Sequence, residues 1–166
     1  MNSKYLLSGA VILLAALCLI AYAIGHPAPA TQLPSKTSTS TVEVNGFAYE
    51  IVTDSALQQL GLGGRTDIPQ KYGMLFVFAH DDTYGFWMKD MLVPIDMIWL
   101  SDTGAILKID SDIATSTYPS VFYPPQPVRY VLETRAGEAV REGWGIGTTL
   151  SIPSQNGESI PNAISP

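Results

Sequence analysis

Six short apolar runs, GMLFVFA, YGFWMK, IDMIWL, AILKID, VRYVLET and TTLSI, follow one another between Gly73 and Ile152 with no long helical segment among them. Each is rich in β-branched or aromatic residues, which suit a pleated and half-buried surface. Ser101-Asp102-Thr103-Gly104 punctuates two of them as a turn. Parallel strands need crossovers, commonly helical, so this pattern favours a mainly β fold over a parallel sheet. The expected architecture is a compact sandwich-like or partly closed barrel with one or two short helices.

The start of this region reads as a hairpin. Asn45-Gly46 separates TVEV from FAYEIV, and Asn-Gly suits a two-residue turn with positive φ at both positions. That register pairs Val44 with Phe47 and Val42 with Tyr49, so one face collects Val42, Val44, Phe47, Tyr49 and Ile51. DSALQQLGLGG follows. Asp54 or Ser55 can cap a helix of about two turns, and Gly61 can end it in a left-handed conformation. A further helical turn fits Ala136–Arg141. Residues 111–127, SDIATSTYPSVFYPPQP, hold four prolines and three aromatics. Proline cannot donate to a ladder, so this stretch is a long loop or an extended cover over a sheet edge. It either plugs one end of the core or has a function of its own.

The N-terminus differs from everything after it. Tyr5 to Ile24 is uncharged and apolar, and roughly 20 helical residues span a bilayer core. An uncleaved transmembrane helix is the leading expectation for residues 1–24; a cleaved signal or a lipidated Cys18 are the alternatives. Lys4 precedes the run and no further Lys or Arg occurs before Lys36, which places the remainder on the extracytoplasmic side. Residues 25–40 then form a Pro/Ser/Thr-rich linker, 41–152 the β-rich domain, and 153–166 a disordered tail.

Composition removes several kinds of chemistry. Cys18 is the only cysteine, and the two histidines are His26 in the linker and His80 in a turn-like AHDDT segment. No metal or cofactor site is therefore expected. Thr41 to Ile152 carries seven Lys/Arg and fourteen Asp/Glu; without a basic stripe, such a domain does not bind nucleic acid. Gly143-Trp144-Gly145-Ile146-Gly147 does not follow a strand and open a long helix, so it is no dinucleotide fingerprint.

Several segments, taken in order, resemble an uncharacterised family, domain-of-unknown-function family number 192. They are Gly61-Leu62-Gly63-Gly64-Arg65, Gly73-Met74-Leu75-Phe76-Val77-Phe78, Phe86-Trp87-Met88-Lys89, Pro94-Ile95-Asp96, Tyr130-Val131-Leu132-Glu133 followed by Ala136-Gly137, and Gly145-Ile146-Gly147. Asp90, Met91 and Thr148 stand where asparagine, threonine and aspartate are usual in that family. The resemblance implies a compact, mostly β fold, often behind an export segment, and no reaction.

Candidate ligand-binding residues follow from these segments: Arg65, Trp87, Lys89, Asp96 and Glu133. Asp96 sits in a strand that is apolar on both faces, where a lone carboxylate costs several kcal/mol unless paired or protonated. A salt bridge to Lys89 or Arg65 would satisfy it; a ligand-facing acid is the alternative reading. Trp87 and Lys89, two apart, would share a strand side and offer an aromatic platform beside a cation. Arg129, Glu133 and Arg135 alternate with Val131 on one face, the pattern of an exposed, charge-laced strand. No nucleophile–base pair accompanies these residues. The expected function is a non-catalytic binding or accessory module at the cell envelope, for a saccharide or a protein partner, with its ligand surface under the Tyr118–Pro127 loop. The alternative is an envelope saccharide hydrolase using Asp96 and a second acid such as Glu133 or Asp90.

Overall fold

A computed structural model describes residues 39–153. The 1–24 segment, all but the end of the 25–40 linker, and the tail from 154 lie outside the described residues. Among the described residues, no helix is long and apolar enough to cross a membrane.

Strands β1 (Ser40–Val44) and β2 (Phe47–Val52) form the expected hairpin, with Val44 opposite Phe47 and Val42 opposite Tyr49. Asn45 and Gly46 have φ of 53° and 77°, as the tight turn requires. Helix α1 (Ser55–Leu60) starts at Asp54, whose Oδ1 accepts from the N–H groups of Ala56 and Leu57 at 2.9 and 3.2 Å. It stops at Gly61, φ 55°. Then come β3 (Tyr72–Asp82), β4 (Phe86–Trp87), β5 (Ile95–Leu100), β6 (Ile106–Ile113), β7 (Val121–Phe122), β8 (Val128–Arg135) and helix α2 (Glu138–Arg141).

The main sheet has six strands in the order β1-β2-β3-β8-β5-β6, and β4 pairs with β7 in a separate two-stranded ribbon. The fold is mainly β with two short helices, as expected, and differs from the expected sandwich-like or partly closed barrel in two ways. The sheet is open, with β1 and β6 as its edges, so the fold is mainly β but not a closed barrel. And β2 pairs with β3 in parallel, because residues 53–71, α1 among them, are long enough for a crossover. A long helix was the wrong thing to look for.

Three local expectations also change. YGFWMK contributes only Phe86–Trp87 to a ladder, and TTLSI only the bridge from Ala105 to Thr149. His80 lies within β3 and not in a turn. The proline-rich stretch contains a 3-10 turn (Thr115–Thr117) and β7, which sets Phe122 opposite Phe86 and Val121 opposite Trp87.

Both faces of the sheet are covered. All six residues of β5 are buried, so it reads as a continuous apolar run instead of an alternation. One face carries Met74, Phe76, Met97, Trp99 and Val131, packed with Leu62, Ile68, Phe86 and Met88. The other carries Leu75, Ile98, Leu100 and Leu132, packed with Phe47, Tyr49, Ile51, Leu150 and Ile152. Removing each Leu or Ile from water contributes about 1.5–3 kcal/mol. This double cover matters for charge: a polar side chain on β5 or β8 has no wet side to face.

Candidate functional site

Asp96 is buried, as its apolar strand requires, but among the described residues no cation meets it. Its Oδ1 accepts from the N–H groups of Asp112 and Gly137 at 2.8 and 3.1 Å, and its Oδ2 from Ala139 at 3.0 Å. The expected salt bridge to Lys89 or Arg65 is thus corrected: three backbone donors take its place. Asp96 therefore fastens the β6 end and the start of α2 to the sheet. It stands opposite Thr134 on β8, one residue from Glu133, and neighbouring strand residues face opposite sides. Asp96 and Glu133 cannot flank one bond, so that pairing of acids is not assembled.

Arg65 is also committed elsewhere. Its Nη2 donates to both carboxylate oxygens of Glu50 at 3.0 and 2.8 Å, and its Nη1 to the Tyr72 hydroxyl at 2.5 Å. Tyr72 in turn donates to Glu50. One nitrogen shared between the two Glu50 oxygens and the other held by Tyr72 orient the guanidinium as well as neutralising it.

The remaining three candidates converge. A cavity of about 280 Å3 opens between α1 and the residues around β4, lined by Gln58, Leu62, Phe78, Tyr84, Phe86 and Met91 together with Trp87, Lys89 and Glu133. Its walls have identifiable supports. Gln58 Nε2 donates to the carbonyls of Val52 and Val77 at 3.3 and 3.1 Å, pinning α1 to the sheet. Phe78 and Tyr84 stack at 3.6 Å between ring centroids. Phe86 meets Phe76 and Trp99 edge-on at 4.9 and 5.5 Å, an arrangement aromatic quadrupoles favour. Trp87 is 43 % exposed, so its ring is half free for a ligand.

The 118–127 loop does not roof this cavity. A Cβ on Gly85 would fall 2.9 Å from both Val121 and Tyr123, so the loop presses on the backbone that connects Tyr84 to Phe86. It braces one wall, and only glycine lets it come so close. Lys89 lies just past the end of β4 and not on a shared strand face with Trp87; it is exposed, with no carboxylate in ion-pair distance among the described residues.

Glu133 is the residue whose environment the sequence misrepresented. It is 4 % exposed, not part of an exposed charged face, because β8 is a central strand between β3 and β5. Met74 and Met97 stand opposite it on either side. Its Oε2 has no hydrogen-bond partner among the described residues. Burial pushes its carboxyl up from the ordinary 4.5 to about 7, while the Leu62 N–H and the Arg65 charge pull the other way. Gly61 brings the end of α1 against it: a Cβ there would lie 3.3 Å from Oε2. The signal that could have found Glu133 was the one applied to Asp96, since VRYVLET is also apolar on both faces around its acid.

Segments widely separated in sequence thus sort into two groups. Gly61-Leu62, Phe78, Phe86-Trp87, Lys89 and Glu133 line the cavity. Asp96 and Gly137, by contrast, tie the opposite face together through a hydrogen bond.

Comparison with known proteins gives the family but no activity. A Sinorhizobium meliloti 1021 protein of known structure, provisionally described as a transcription regulator, is 26 % identical with a TM-score of 0.62, covering 69 % of this chain and 95 % of its own. A Novosphingobium aromaticivorans DSM 12444 protein of unknown function is 27 % identical with a TM-score of 0.57, covering 66 % of this chain and 79 % of its own. No curated protein matches. The family model for DUF192, described as "Uncharacterized ACR", matches residues 36–152, and the chain belongs to that family.

Proposed function

We propose that this domain is a binding module that takes a small ligand into the Trp87–Lys89–Glu133 cavity without reacting with it. The observation that carries this reading is the buried Glu133 carboxyl, one oxygen unpartnered, at a cavity with aromatic walls. Ligand sites are typically apolar concavities with a few placed polar groups, and strongly perturbed acids cluster in them. Binding is favoured over hydrolysis because Glu133 is the only carboxylate among the residues that line the cavity, and two-acid catalysis needs a second.

Residence at the outer face of a membrane belongs to the same proposal and rests on the uncharged run from Tyr5 to Ile24 behind Lys4. The acidic balance of the domain argues against nucleic acid as its ligand. A saccharide remains a ligand class that a half-exposed tryptophan beside polar groups would suit.

The test is a melting titration of the full chain, purified in a mild non-ionic detergent and followed by tryptophan fluorescence. The compounds are cell-wall saccharides, amino acids and small amines. Saturation at about 100 times Kd adds ~2.7 kcal/mol, a rise on the order of 10 °C for a domain of this size. The rise should fall to about half or less in Trp87→Ala. No rise with any compound, or one that Trp87→Ala leaves intact, overturns the pocket reading in favour of a protein partner.

A further inference from the structure

Resting on that pocket, we infer that its ligand carries a protonated amine on an apolar or aromatic body, and that the ammonium group pairs with the Glu133 carboxylate. A buried carboxyl stays neutral unless a cation or several hydrogen-bond donors compensate its charge. Asp96, its counterpart on the opposite face, has three backbone donors. Glu133 has an oxygen with none. Among the described residues, no side-chain cation forms an ion pair with Glu133. Arg65 is held by Glu50 and Tyr72, and Lys89 makes no ion pair with Glu133.

The walls fit the same ligand. Phe78, Tyr84, Phe86 and Trp87 line the same cavity as Glu133, and aromatic faces attract organic cations, most strongly where water is excluded. A neutral sugar would leave the carboxylate without its countercharge; an inorganic cation would leave the aromatic walls unused. The excess of acidic residues in the domain, fourteen against seven basic between Thr41 and Ile152, draws cations toward it at long range.

Pairing also couples binding to protons. The charge acting on Glu133 is Arg65 from the glycine loop, with Glu50 of β2 behind it, while Lys89 and Tyr84 line the same cavity from the β4 side. The α1 lining residues Ser55, Gln58 and Gln59 are uncharged, as are Met74 of β3 and Met97 of β5. Glu133 must release its proton to receive an ammonium ion, so affinity strengthens as pH rises through its titration.

Phenethylamine and its neutral isostere phenethyl alcohol separate the possibilities. Each is titrated into the full chain at pH 6 and pH 8, with calorimetry in two buffers of different ionisation enthalpy. The amine should bind at least about tenfold tighter than the alcohol at pH 8, with a smaller preference at pH 6 and proton release to buffer. Glu133→Gln, which keeps shape and removes the charge, should abolish the preference while its melting curve shows it folded. Equal binding of both compounds, or a preference that survives in Glu133→Gln, overturns the ammonium pairing and leaves the binding module standing. Binding of neither compound overturns the pairing as well; if the earlier panel is also silent, the pocket reading falls with it.

Discussion

Replacing Glu133 with glutamine should stabilise this protein, by an amount that grows with pH. The carboxyl titrates near 4.5 when exposed and near 7 in the fold, because burial disfavours its charged form. Between those values the folded chain holds the proton more firmly than the unfolded chain. Stability therefore falls as pH rises through that window, and the loss is complete above it. A displacement of this size corresponds to about 3 kcal/mol, a large share of the roughly 5–15 kcal/mol that holds a typical domain together. Glutamine has the same shape, can still accept from the Leu62 N–H, and does not ionise. The variant and the wild type should match within about 1 kcal/mol at pH 4, then diverge to about 3 kcal/mol in favour of the variant by pH 8. Urea unfolding at several pH values, followed by tryptophan fluorescence, measures this directly. Taking the difference between the two proteins removes every other titrating group. A difference that stays flat across the range, or a variant less stable at pH 8, would refute the buried and unpaired state assigned to Glu133.

Other substitutions separate scaffold from site. Asp96→Asn should lower stability by about 3 kcal/mol, since an amide cannot accept from all three N–H groups and a stranded buried donor costs about 1–3 kcal/mol; ligand affinity should not change in the variant that remains folded. Gly61→Ala should cost about 1–3 kcal/mol by forcing a side chain into a positive-φ conformation (φ 55°, ψ −140°) suited to glycine, and should weaken binding as well, because the new methyl crowds Glu133 Oε2. Trp87→Ala should shift the urea midpoint little, given the half-exposed ring, yet reduce ligand affinity at least about tenfold, consistent with the ~1–3 kcal/mol of an aromatic contact. Paired unfolding and binding titrations distinguish these three patterns.

Local chemistry made much of this structure readable. Asn45-Gly46 specified a hairpin and its register, and Asp54 with Gly61 bracketed α1, because capping and turn preferences act over a few residues. The ordered family segments also located the chain's folded part. Strand partners were harder. The parallel pairing of β2 with β3 depends on the reach of a nineteen-residue connection, which no periodicity displays. Asp96 shows a further limit: its burial followed from Ile95 and Met97–Leu100, whereas its partners are backbone groups, which every residue but proline offers and no sequence distinguishes. Glu133 was misread because Arg129 and Arg135 on the same strand face suggested solvent. Those arginines sit toward the ends of β8, where the sheet meets water, and Glu133 does not.

The position of β8 has a consequence for how the molecule comes into being. It is the last long strand to leave the ribosome or a translocation channel, yet it lies between β3 and β5. Until Val128–Arg135 is available, β1-β2-β3 and β5-β6 are two separate ribbons, each with an apolar strand facing an empty lane. Distant pairing of this kind is slow to form, and an open strand edge invites the wrong neighbour. Chains cut short before Val128 should consequently aggregate instead of forming a smaller native domain. The strand that closes the gap also carries Glu133, so the cavity acquires its acid only when assembly of the sheet is complete.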